Sequence, residues 1–315
     1  MDEMRVATDA KKVLEQVRRV VVGKDRVLMW VMAAILAKGH ILLEDLPGVG
    51  KTTMAVAFSK SMQLNYNRMQ FTPDVLPSDV TGFSVLDTKT GSMTYHPGSV
   101  LCNLFLADEL NRATSRTQAA LLEAMEEGQV TVDGITHKLP RPFAVIATQN
   151  PTGAAGTQLL PDSQLDRFMV RLQMGYPEKA DEISMVEQRQ GRRPMEDVNP
   201  MVDAAVILQL QEIVEKTFVA KEIICYAVDL IHATRTEPLL RQGASPRATL
   251  AVIAMAKSVA QLRGRDYVTP KDIQEVLLPT VAHRLILSSE AKGREITAEQ
   301  VLAKILKNTP APRLG

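Results

Sequence analysis

Apolar residues recur with the period of an amphipathic helix over residues 8–20 and 24–37, and then the pattern changes. The run His40-Ile41-Leu42-Leu43-Glu44 is short, apolar and followed at once by a glycine-rich stretch, as a buried parallel strand entering a loop would be. Leu104-Phe105-Leu106-Ala107, Phe143-Ala144-Val145-Ile146-Ala147 and Phe168-Met169-Val170-Arg171-Leu172 repeat the signal, with helical segments between them. This alternation predicts an α/β domain with a parallel sheet over residues 1–177, its N-terminal helices included.

Two stretches interrupt the alternation. Gly82 to Asp87 and Ser92 to Tyr95 read as two short strands around a turn. Val130-Thr131-Val132 and Ile135-Thr136-His137 flank Asp133-Gly134, a dipeptide suited to the positive φ angles of a tight hairpin. Both predict hairpins projecting from the core. Beyond Pro177 the strand signals stop, and helical periods near 179–190, 205–217, 221–236, 246–263, 271–285 and 297–307 predict an all-helical domain over 178–315. Ser245-Pro246 and Thr269-Pro270 each place a capping hydroxyl before a first-turn proline.

Composition narrows the reading without choosing a partner. The 315 residues are 45% hydrophobic and 23% charged with a formal charge of +1, which speaks against a chain whose main task is to coat nucleic acid or an acidic membrane. Cys102 and Cys225 stand far apart in apolar surroundings and read as buried free thiols; His40, His96, His137, His232 and His283 show no spacing that would put two imidazoles on one metal. The N-terminus has no apolar signal core and no apolar run is long enough to span a bilayer, so the chain is expected to be cytoplasmic, with no membrane insertion.

The chemistry is concentrated after the first strand. Gly48-Val49-Gly50-Lys51-Thr52-Thr53 opens a helix, the context in which backbone N–H groups and a helix N-terminus wrap a polyphosphate. Lys51 would reach the outer phosphates, and Thr52 would ligate Mg²⁺. The motif asks for glycine six residues before the lysine, where this chain has Asp45. A second strand ends in Asp108-Glu109; Asp108 would hold the Mg²⁺ water shell and Glu109 polarise the attacking water.

Asn150, in Thr148-Gln149-Asn150-Pro151, stands where a side chain orients that water, contacts the γ-phosphate or merely caps a loop. Arg167 precedes the last core strand and is either a surface ion-pair partner or an arginine finger for a neighbour's nucleotide. Arg247 lies in the first turn after Ser245-Pro246, where the helix dipole disfavours a cation unless an anion is close.

Taken together, LEDLPGVGKTT, FTPDVLPSDVTG, FLADELNRA, TQAALLEAMEEGQVTVDG, IATQNP, LPDSQLDRF and GASPRA resemble, in order and over residues 20–290, the MoxR family of AAA+ ATPases. The resemblance implies a P-loop NTPase core with hairpin inserts and a helical lid. It gives Pro47, Gly48, Val49, Gly50, Lys51, Thr52 and Thr53 to Walker A, and Asp108 and Glu109 to Walker B. Asn150 becomes sensor 1, Arg167 the arginine finger and Arg247 sensor 2, with Arg112 a further family-typical arginine.

It implies ATP and Mg²⁺ as ligands, a homo-oligomeric ring, usually hexameric, and a chaperone-like role on target protein complexes with a von Willebrand factor A domain partner. A DNA-translocating motor and a chelatase-type motor subunit are the alternatives. The hairpin tips, Asp87-Thr88-Lys89-Thr90-Gly91 and Asp133-Gly134, hold one lysine against two acids, a poor grip on a phosphate backbone. A non-hydrolysing scaffold would lack Glu109 or Arg167, and a small-molecule P-loop kinase would need a substrate lid in place of the helical domain.

Overall fold

The computed structural model describes residues 4–46, 48–88, 91–150 and 159–312. Helices α1 (Arg5–Arg18) and α2 (Asp25–Leu36) lead into β1 (Ile41–Glu44), and α3 (Lys51–Ser61) follows the glycine-rich loop. Then come β2 (Tyr66–Gln70), the short α4 (Pro77–Thr81), the hairpin of β3 (Gly82–Leu86) and β4 (Met93–Pro97), and β5 (Leu104–Asp108). A second run comprises α5 (Ser115–Glu127), the hairpin of β6 (Gln129–Val132) and β7 (Ile135–Lys138), β8 (Ala144–Gln149), α6 (Asp162–Leu165) and β9 (Val170–Leu172).

The sheet is parallel with strand order β2-β5-β8-β1-β9. Side chains of a strand point alternately to opposite faces, and the sequence supplies an apolar residue to both. Ile41, Leu43, Leu104, Leu106 and Ile146 enter one core, while Leu42, Phe105, Ala107, Val145 and Ala147 enter the other. Burial on both faces explains why these strands read as continuous apolar runs. Strand β2 is the exception. YNRMQ lies on the edge with most of its side chains exposed, so it carries no apolar run, and sequence periodicity misses it.

The two expected hairpins are present. Asp133 and Gly134 turn between β6 and β7 with φ of 52° and 77°. The Tyr95 and His137 rings stack with centroids 3.6 Å apart, which ties one hairpin to the other. Residues 89 and 90, at the first tip, lie outside the described residues.

The C-terminal part holds α7 (Lys179–Gln188), α8 (Ala204–Glu215), α9 (Lys221–Thr236), β10 (Leu240–Gln242), α10 (Pro246–Leu262), α11 (Pro270–Val281), β11 (Ile286–Leu287), α12 (Ser289–Gly293) and α13 (Ala298–Asn308). Among the described residues it is helical apart from the antiparallel β10–β11 ribbon and an isolated bridge between Phe218 and Tyr267, which corrects the all-helical expectation. Strands of three and two residues are too short to show a two-residue period. Thr269 donates both its N–H, at 2.8 Å, and its hydroxyl, at 2.7 Å, to the Asp272 carboxylate at the start of α11. Ser245 does not cap its helix; its hydroxyl donates to Asp166 at 3.3 Å. Cys102 is buried and free as expected, whereas Cys225 is exposed, on the face of α9 opposite Ile223, Tyr226 and Ala227. Among the described residues no helix is long and apolar enough to cross a membrane.

Candidate nucleotide site

In a parallel sheet, loops leaving the C-terminal ends of neighbouring strands converge on a crevice. Here the ends of β1, β5 and β8 meet. Gly48 and Gly50 have φ of 84° and 94°, conformations that cost a side chain dearly, and Gly50 starts α3 so that Lys51, Thr52 and Thr53 form its first turn. Val49 packs its side chain against the core. Pro47 lies outside the described residues.

Asp45, the departure from the glycine pattern, is a buried anchor. Its carboxylate accepts the backbone N–H groups of Met174 at 2.5 Å and Gly175 at 2.9 Å, just past β9. The first turn of the loop is thereby fixed by a side chain to the segment after the neighbouring edge strand. Lys51 then uses two of its three N–H donors on the loop itself, bonding the carbonyls of Asp45 at 2.9 Å and Leu46 at 3.2 Å. Partial burial lowers the Lys51 pKa from its ordinary value, opposed by the charges of Asp45, Asp108 and Glu109.

The acid pair sits opposite. Asp108 accepts from Arg68 on β2 through Oδ2 at 2.7 Å and from the Thr148 hydroxyl through Oδ1 at 2.7 Å. The hydrogen bond from Arg68 to Asp108 is the largest cause of the raised Arg68 pKa. Glu109 has φ of 53°, and its N–H donates to Thr148 Oγ1 at 2.8 Å. One threonine thus fixes both acids. The Glu109 carboxylate accepts from Arg112 at 2.8 Å, which gives that arginine a contact in the site.

Gly48, Gly50, Lys51, Thr52, Thr53, Asp108, Glu109 and Asn150 line one open cleft of about 380 Å³, together with Arg68 and Gln70. Sequence reasoning missed the last two because they lie on the edge strand. Thr53 also lines a neighbouring recess of about 310 Å³ walled by Val20, Met185 and Arg189, so the two cavities adjoin at the start of α3.

Arg167 and Arg247 line neither cavity. Both reach Glu126 near the end of α5: Arg167 Nη1 lies 2.5 Å from Oε2, and Arg247 Nη2 lies 2.7 Å from Oε1. The anion that the position of Arg247 called for is, in this chain, a carboxylate. Arg167 also donates to the Leu122 carbonyl at 3.2 Å. The turn that carries it is gripped by Arg284, which bonds the Asp166 carboxylate at 2.5 Å and the Phe168 carbonyl at 2.7 Å.

A phosphate loop, an acid pair one strand beyond the intervening β8, and a helical lid define a P-loop ATPase of the AAA+ class. The profile of the "ATPase family associated with various cellular activities (AAA)" matches residues 40–170, and that of the "AAA lid domain" matches residues 232–305. The chain is 45% identical to Bacillus subtilis "Uncharacterized protein YeaC", covering 96% of this chain and 94% of the relative. It is 37% identical to "Chaperone MoxR1" of Mycobacterium tuberculosis over 97% of this chain and 83% of that one. A solved structure from Cytophaga hutchinsonii, described as a candidate ATPase, superposes with a TM-score of 0.91 at 34% identity, covering 99% of this chain and 97% of that one. The chain belongs to the MoxR family of AAA+ ATPases.

Proposed function

We propose that this chain binds ATP with Mg²⁺, hydrolyses it to ADP and phosphate, and does so in a homo-oligomeric ring, hexameric by family resemblance. The observation that carries the reading is the convergence of Lys51, Thr52, Asp108, Glu109 and Asn150 on one cleft. The donor set fits the ligands: a half-buried ammonium and the first turn of α3 face the cleft, and a hydroxyl and a carboxylate suit a hard cation. Thr52 and Asp108 would hold Mg²⁺, which when bound supplies charge neutralisation between phosphate oxygens. Glu109 accepts a proton from the attacking water, Asn150 orients that water, and Lys51 neutralises the outer phosphates. The recess of Val20, Met185 and Arg189 seats the base, since Thr53 joins it to the phosphate cleft.

In this reading Arg167 and Arg247 act together in a neighbour's site. Both stand away from the chain's own cleft and beside each other, so one neighbouring phosphoryl group can meet both. Residues 1–177 then form the nucleotide-binding part and 178–315 the lid, which brings Arg247. The biological role that fits is chaperone-like remodelling or maturation of target protein complexes, with a von Willebrand factor A domain protein as partner; the name "Chaperone MoxR1" of a relative supports the chaperone part.

Calorimetry with ATP and Mg²⁺ tests the core of this proposal. Lys51→Ala should abolish binding, and Glu109→Gln should keep binding yet stop phosphate release. Equal micromolar affinity in wild type and Lys51→Ala would sink the loop assignment. Light scattering on Glu109→Gln should show a larger species with ATP than without, and a monomer at high micromolar concentration with saturating nucleotide would refute the ring.

A further inference from the structure

We propose that Glu126 is the positioning residue that presents Arg167 and Arg247 as a pair to the nucleotide of an adjacent subunit; this rests on the reading that the two arginines act in trans. The two guanidiniums come from distant parts of the chain, one from the turn before β9 and the other from the first turn of α10. Like charges do not gather unaided. Glu126 takes one on each carboxylate oxygen, at 2.5 Å and 2.7 Å, leaving the remaining N–H donors of both arginines for another anion.

The surroundings make this an organised cluster rather than a stray surface pair. Arg284 binds Asp166, and the Ser245 hydroxyl binds the same carboxylate from the start of α10. His283 and Arg284 both reach the Phe168 carbonyl, at 3.1 Å and 2.7 Å. The turn bearing Arg167 and the helix bearing Arg247 are therefore locked to each other behind Glu126. Counting these side chains, three arginines face two carboxylates, so the cluster keeps an excess positive charge. It will attract a phosphoryl group and hold the pair in register while doing so.

The Glu126 side chain is 39% exposed, and exposed ion pairs add little to folding stability. Its removal should therefore leave the fold intact and act on turnover. In Glu126→Gln the new amide N–H₂ would oppose one guanidinium donor, so a single arginine is held. This variant should lose at least about tenfold in kcat with KM for ATP within about twofold, because its own cleft is untouched. Glu126→Lys, which repels both arginines, should lose more.

Subunit mixing separates a positioning role from general damage. Glu126→Gln mixed with Glu109→Gln should recover activity, since one supplies an intact Glu109 and the other an intact arginine pair. Glu126→Gln mixed with Arg167→Ala should not recover, because both lesions lie on the same face. Wild-type kcat in Glu126→Gln overturns the proposal. So does a dead Glu126→Gln/Glu109→Gln mixture when the Arg167→Ala/Glu109→Gln mixture recovers. If that last control stays dead although subunits exchange, the trans reading itself falls, and this inference with it.

Discussion

Asp45 offers the sharpest test of how this phosphate loop is built. Replacing it with glycine brings the sequence closer to the motif, yet the structure predicts damage. Asp45 is only 6% exposed, and its carboxylate accepts two backbone N–H groups, from the buried Met174 and the exposed Gly175; Asp45→Gly would leave the first of them buried without a partner. Hydrogen bonds to a charged group contribute about 1.5–3 kcal/mol each, so the loss of two is on the order of 3–6 kcal/mol, toward the lower end because water can replace the partner of the exposed Gly175, with up to about 1 more from the freedom of glycine in the unfolded chain. At about 2–4 °C per kcal/mol, the melting temperature should fall by about 6 °C or more.

Nucleotide affinity should fall as well, because the Asp45 carbonyl is one of the two that hold the Lys51 ammonium. Asp45→Asn keeps one acceptor and turns a donor toward the other N–H, so it should lie between wild type and glycine. Thermal melts of the three proteins, with and without ATP and Mg²⁺, measure both effects. An Asp45→Gly protein that melts within about 2 °C of wild type and binds ATP equally well would refute the anchoring argument.

Two further outcomes follow from the same geometry. Arg68→Met removes the guanidinium that occupies Asp108 Oδ2, so the Mg²⁺ concentration for half-maximal turnover should fall, by about twofold to fivefold given the exposure of that pair; an unchanged or higher requirement would show that arginine and cation do not compete. Burial holds the His40 pKa at about 4 against an ordinary 6.5, its Nδ1 accepting from the Val145 N–H, which leaves Nε2 to donate to the Met125 carbonyl. The unfolded chain therefore takes up the proton first, and stability present above pH 6.5 is lost as the pH falls through the folded pKa, reaching about 3 kcal/mol near pH 4. His283, also held low by burial, adds a loss of the same sign. Urea midpoints from pH 7.5 to 5 should thus decline less steeply in His40→Asn than in wild type, and equal slopes would count against the assignment.

The sequence alone determined whatever depends on neighbours along the chain. GVGKTT and the Asp108-Glu109 pair are each contiguous, within one strand and the turn after it, and strands buried on both faces must be apolar throughout, so the central strands and the glycine-rich loop that follows the first of them were legible. The Asp133-Gly134 turn was legible for the same reason: two adjacent residues with positive φ need particular side chains. Strand β2 was not, because an edge strand exposed to solvent needs no apolar pattern, and Arg68 was hidden with it. The anchoring role of Asp45 depends on N–H groups 129 and 130 residues away, and backbone donors leave no trace in a sequence. Glu126 looked like one more acid on a helix. Only the packing of the lid against α5 and the turn before β9 placed two arginines on it, since electrostatic partnership is a matter of distance in space, and that distance is set by the tertiary fold.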